Sequence, residues 1–183
     1  MGEYAAMSLE ASLLHFESVD EGGGVGDDPR RLSIPEEVSA VDSDLELAIE
    51  KYHQSIDAFV KGEGAERQKP LWSRQDDVTL ANPLGPPARG WDTVEAAMDQ
   101  AASVIREGEP IRYERISEYA TPDLAYILEI EHGRARFGGS GEARSYSLRV
   151  TTILRHEDGE WRLTHRHADP ITAPRPADSV FKP

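Results

Sequence analysis

The sequence predicts an α+β domain, a cone-like curved antiparallel sheet wrapped around three N-terminal helices. Three observations predict it. Apolar residues recur at helical spacing only before residue 108. Strand-like runs fill the stretch from 111 to 168. Turn and hairpin signals join those runs in succession, and consecutive hairpins build an antiparallel sheet. Helices that precede a single sheet pack on one face of it.

The first helix opens at Ser43, whose spacing to Glu46 makes a capping box that satisfies two otherwise unpaired amide donors. Leu45, Ala48, Tyr52, Ile56 and Phe59 follow on one face, and Gly62 ends the helix. A second, shorter helical piece is expected over Ala65–Trp72, with Pro70 at an end or a kink. Val78–Leu80 reads as a short strand, and Asn82-Pro83-Leu84-Gly85-Pro86-Pro87 as a rigid loop. Asp92 caps the third helix, which carries Val94, Met98, Ala101 and Ile105 on its apolar face and stops at Gly108. Four strands then follow, Ile111–Tyr119, Leu124–Phe137, Tyr146–His156 and Trp161–Ala168. Asp158-Gly159 is the tight hairpin between the last two.

The 183 residues suffice for one domain with a proper core. Residues 1–42 read as an acidic flexible extension, 43–170 as the folded domain and 171–183 as a proline-rich tail. A short helix over Met7–Phe16 is an option within the extension. Of the formal net charge of −14, −9 falls within the first 44 residues, so the body is only mildly acidic. It shows no basic face for nucleic acid or for an anionic membrane, and no apolar run could span a bilayer. There is no cysteine, which excludes disulfides, cysteine-zinc sites and thiol nucleophiles. That absence, with no targeting segment in view, fits a cytoplasmic setting.

Two stretches carry a resemblance. Asp76-Asp77-Val78-Thr79-Leu80-Ala81-Asn82-Pro83-Leu84-Gly85 with Gly90 resembles the segment of ketosteroid isomerases that holds the general base. Arg155 to Asp169 resembles the closing hairpin of the SnoaL-like group. With the element order, they mark residues 45–170 as similar to the nuclear transport factor 2-like superfamily. That resemblance implies a cone with an internal pocket, a small organic ligand, no cofactor, and a homodimer paired through the sheets. It does not carry the isomerase chemistry across. The position that matches the aspartate base is Asn82, whose amide takes no proton at neutral pH. The oxyanion-hole acid falls near Thr151 when the final hairpins are aligned on Gly159.

In the last strand, Trp161, Leu163, His165, His167 and Asp169 should share one face and Arg162, Thr164, Arg166 and Ala168 the other. Hydrophobicity buries the tryptophan face, while the resemblance turns Thr164 and Arg166 to the pocket. Both stand together if the tryptophan face lies in a dimer interface. If the histidine face lines the pocket, His165 or His167 is the proton carrier, oriented by Asp169. Otherwise these histidines fill a polar interface. A metal bound by His165 and His167 lacks a third ligand fixed by spacing. Asn82, Arg149, Thr151 and Arg166 could polarise a carbonyl or hydroxyl, or the arginines could simply pair with surface acids. Tyr52 and Trp72 sit where they would cover a pocket or fill the core. Two functions follow: an acid–base enzyme of the isomerase, dehydratase, cyclase or hydrolase type, or a non-catalytic binding or dimerisation module.

Overall fold

The computed structural model describes residues 36–139 and 141–180, with side chains from 43 to 139 and 141 to 179. Residues 1–35 of the acidic extension, with its optional helix at 7–16, lie outside the described residues, and its last stretch, 36–42, is helical rather than an extension. Helix α1 spans Glu36–Lys61 and so begins seven residues before the expected cap at Ser43. Leu45, Ile49, Tyr52, Ile56 and Val60 form its buried face. Its end is a Schellman motif. Gly62 adopts φ +99°, Gly62 N–H donates to Phe59 O at 3.0 Å, and Glu63 N–H donates to Ala58 O at 3.1 Å.

The expected second helix is a single 3₁₀ turn, Lys69–Leu71. Pro70 lacks the N–H that an α-helix would need there, so the bonds close over shorter loops, Leu71 N to Gln68 O and Trp72 N to Lys69 O. The body therefore has two α-helices rather than three. Strands β1 (Thr79–Ala81) and β2 (Ala88–Arg89) flank the proline loop. Helix α2 (Trp91–Val104) starts one residue ahead of Asp92, with Gly90 at its N-cap; Asp92 sits in the first turn, where its charge suits the helix dipole. It ends at Val104 rather than Gly108 because the next two residues leave it as strand β3 (Ile105–Arg106), paired with Phe137 and Arg136.

Strands β4 (Arg112–Ala120), β5 (Leu124–Phe137), β6 (Arg144–Glu157) and β7 (Glu160–Asp169) form an antiparallel series. Asp158 (φ 51°) and Gly159 (φ 84°) give the left-handed pair that a tight β6–β7 hairpin requires. The sheet runs β2-β1-β7-β6-β5-β3, with β4 also on β5. The β1–β7 pairing is parallel and joins Leu80 to Arg166 in register. β-Bulges fall in β4 between Arg115 and Ser117 and in the β6–β7 ladder where Ile153 gives way to Leu154. Bulges bend strands, and the sheet is curled. The core lies between its inner face and the two helices, and includes Ile49, Trp72, Val94, Ile127, Leu154 and Leu163. From Ile171 to Ser179 the chain is exposed, with a 3₁₀ turn at Ala177–Val180.

Candidate functional site

The β7 bulge decides which residues face the interior. His165 pairs with Ile153 and Leu163 with Leu154, so Thr164 is the extra residue and the side-chain phase flips across it. Trp161 and Leu163 are buried before the bulge; Arg166 and Ala168 are buried after it. The strict alternation expected from the sequence is thus corrected. The tryptophan reading holds for the first half of the strand and the Arg166 reading for the second. His165, His167 and Asp169 pass to the outer face.

Behind Arg166 lies a cavity of about 90 Å³. Ile56 and Val60 of α1, Met98 and Ala101 of α2, Leu80 of β1 and Leu148 of β6 give it apolar walls. Glu131 and Arg166 supply its charged groups. They neutralise each other end to end: Arg166 Nη1 donates to Glu131 Oε1 and Nη2 to Oε2, both at 2.8 Å. Their side chains are 10% and 2% exposed. Burial opposes the charge on Arg166, but the facing carboxylate outweighs it and holds the guanidinium protonated.

Aromatic hydroxyls surround the pair. Tyr52, 1% exposed, lies with its ring 5.9 Å from the Arg166 guanidinium, and its hydroxyl has no partner among the described residues. Burial pushes its ionisation well above the usual phenol range, so it stays a neutral donor. Tyr146, which lines the cavity, is pushed up to about 12 by burial. Its ring reaches inward because the facing residue is Gly133, where a Cβ would stand 2.5 Å from the phenol carbon. Gln68 and Asn82 complete the polar lining. Asn82 Oδ1 accepts the Leu84 N–H at 2.9 Å and sets the turn of the proline loop. Asn82, Leu84 and Ala101 line both the cavity and an adjoining groove along α2.

Of the residues singled out in the sequence, the structure gathers Tyr52, Asn82 and Arg166 at or beside the cavity. Trp72 is 1% exposed and belongs to the core rather than to the cavity wall. Arg149, Thr151, His165, His167 and Asp169 stand together on the outer face, away from the cavity, because β6 and β7 present these positions to that side. There Arg149 Nη2 donates to Asp169 Oδ2 at 2.8 Å, and Asp169 Oδ1 accepts the Ile171 N–H. Burial pushes the Asp169 carboxyl up, but these hydrogen bonds outweigh it and hold it below its ordinary range. His167 Nε2 is 3.7 Å from Asp169, too far for a hydrogen bond. His165 Nδ1 lies 2.7 Å from Thr79 Oγ1, and burial, reinforced by His167, lowers its pKa. Among the described residues, no three of His, Cys, Asp or Glu cluster closely enough to hold a metal ion.

Three polar groups escaped the sequence reading. Glu131 and Gln68 are at the cavity. Glu129 forms a separate inner cluster: its carboxylate meets His53 Nε2 at 3.0 Å and accepts from Arg115 Nε at 3.3 Å. Burial raises the Glu129 pKa, but the hydrogen bond from His53 and the charge of Arg115 bring it below the usual value. The Tyr113 ring stacks on His53 with centroids 3.6 Å apart.

A family model described as the SnoaL-like domain matches residues 48–173. The chain belongs to the SnoaL-like domain family. Solved structures agree on the fold. A ketosteroid isomerase-like protein from Erwinia carotovora atroseptica is 18% identical with a TM-score of 0.60, covering 76% of this chain and 100% of its own. A nuclear transport factor 2-like superfamily protein from Salmonella enterica serovar Typhimurium is 16% identical with a TM-score of 0.60, covering 79% and 99%. A candidate dehydratase of the same superfamily from Streptomyces avermitilis is 20% identical with a TM-score of 0.57, covering 75% and 99%. No curated protein matches the chain. At these identities the SnoaL-like kinship carries the fold and leaves the chemistry to the residues of this cavity.

Proposed function

We propose that this SnoaL-like chain binds a small, uncharged, mostly apolar organic molecule in its interior cavity, without a cofactor. The observation that carries the reading is the end-to-end pairing of Glu131 with Arg166. The charges in the wall cancel, so an ionic ligand would lose its hydration and find no free counter-charge. Against the roughly 150 Å³ apolar cavity that takes a benzene, a cavity of about 90 Å³ takes a ligand of at most about one six-membered ring. That is smaller than the pockets of drug-sized ligands.

A second reading is cofactor-free acid–base catalysis in the same cavity, of the isomerase, dehydratase, cyclase or hydrolase type. A buried carboxylate on the wall favours it, and so do the names of the isomerase-like and dehydratase-like neighbours. Glu131 would then carry the proton in place of His165 or His167. Both of its oxygens already accept from Arg166, which leaves neither turned to a ligand proton, and binding is therefore the leading reading.

Pairing of two copies through the outer sheet face belongs to the same proposal. Half-buried Leu128, Ile130 and Ile153 support it, beside the exposed Tyr126 and Leu124. Native mass spectrometry at micromolar concentration reads stoichiometry and ligand together. The expected species is a dimer of 20.3 kDa chains that releases a neutral molecule of roughly 100 Da or less from each on activation. A bare monomer, unaffected by added neutral compounds of that size, would refute both parts.

A further inference from the structure

One polar side chain on the cavity wall has no task in the fold. Gln68 is 5% exposed, and its Nε2 is buried without a hydrogen-bond partner among the described residues. Glutamine is mostly a surface residue, and a buried amide N–H left unpaired is costly. The backbone of the turn does not need this side chain. Gln68 N–H donates to Ala65 O at 2.9 Å, and Gln68 O accepts from Leu71 N at 2.9 Å. With Pro70 two residues on, those bonds fix where the side chain leaves the main chain. The charged wall groups are committed, Glu131 and Arg166 to each other, and so is the Asn82 oxygen to Leu84; the Tyr146 hydroxyl, on a half-buried side chain, is a second donor on the wall.

Resting on the pocket reading above, we propose that Gln68 selects the ligand, its amide N–H donating to a carbonyl or ether oxygen on an uncharged molecule. A hydrocarbon of equal size leaves the amide unpaired, and a site that offers a buried unpaired donor discriminates against the analogue that lacks the acceptor. A carboxylate of similar size brings a charge that the Glu131–Arg166 pair does not answer.

Ligand-observed NMR titration with cyclohexanone, methylcyclohexane and cyclohexanecarboxylate tests this. Wild-type protein is expected to bind the ketone and to exclude the carboxylate. In Gln68→Met the ratio of ketone to hydrocarbon affinity is expected to fall about tenfold, the size of one buried hydrogen bond. Gln68→Leu should repeat the fall. Both variants should unfold at or above the wild-type temperature, because each removes an unpaired amide. If both cyclic probes bind and the ratio is unchanged in both variants, the Gln68 assignment is overturned while the pocket stands. If the carboxylate binds wild type as tightly as the ketone, the uncharged class is overturned. If neither cyclic probe binds wild type, the pocket reading falls with it.

Discussion

Glu131→Ala lowers the unfolding free energy by about 3–5 kcal/mol. The Arg166 guanidinium loses both acceptors at a site where its side chain is 10% exposed, and an uncompensated buried charge is among the most damaging single changes available. The double variant Glu131→Leu with Arg166→Met recovers most of that loss, since replacing a whole buried ion pair by apolar side chains of similar volume is close to neutral or stabilising. Urea unfolding with an unchanged m-value separates the two outcomes. Glu131→Gln adds a functional readout. It leaves the cation without its counter-charge, so cyclohexanecarboxylate should stabilise this variant and not the wild type. A Glu131→Ala loss below about 1 kcal/mol would mean that the pair is solvated, as surface ion pairs are.

Trp72→Ala costs about 3–5 kcal/mol, the range for emptying a buried aromatic site. The indole is 1% exposed, and the segment that bears it is tied to β7 by a parallel bridge to Leu163 and by Ser73 N–H donating to Leu163 O at 2.9 Å. Trp72→Phe should cost much less, because Nε1 has no hydrogen-bond partner among the described residues and only packing is lost. Ligand affinity should be unchanged in Trp72→Phe, since the ring does not line the cavity. Thermal unfolding and titration of both variants check this. A small stability loss with abolished binding would make Trp72 a ligand platform instead of core.

Much of the fold is legible because its signals are local. Gly62 ends α1, Asp158-Gly159 turns β6 into β7, and β5 spans the Leu124–Phe137 run read from the sequence as a strand. The errors come from partners distant in sequence. α2 gives way at Val104 because Ile105 and Arg106 pair with the far end of β5, which no local pattern announces. The bulge at Thr164 is equally silent: period-2 reading carries the Trp161 face straight through to Asp169. That single extra residue explains why hydrophobicity and resemblance pointed to opposite faces of one strand.

Glu131 and Glu129 were hidden for a related reason. β5 carries apolar side chains on both faces, with Ala125 and Ile127 inside and Leu128 and Ile130 outside. Alternation alone would send the glutamates to water. The buried acid at 131 makes sense once Arg166 is known to face it across β6. A cation and an anion that settle on the same inner face are a tertiary fact, and the sequence offered only the cation.

A crystal structure of the protein with cyclohexanone tests the central claim most directly. The expected result is the ketone between α1, α2 and β7, with Glu131 and Arg166 still joined and the oxygen facing Gln68. Density for the ketone on the outer face beside His165 and His167, or inside with Arg166 turned away from Glu131 to meet it, would contradict the claim.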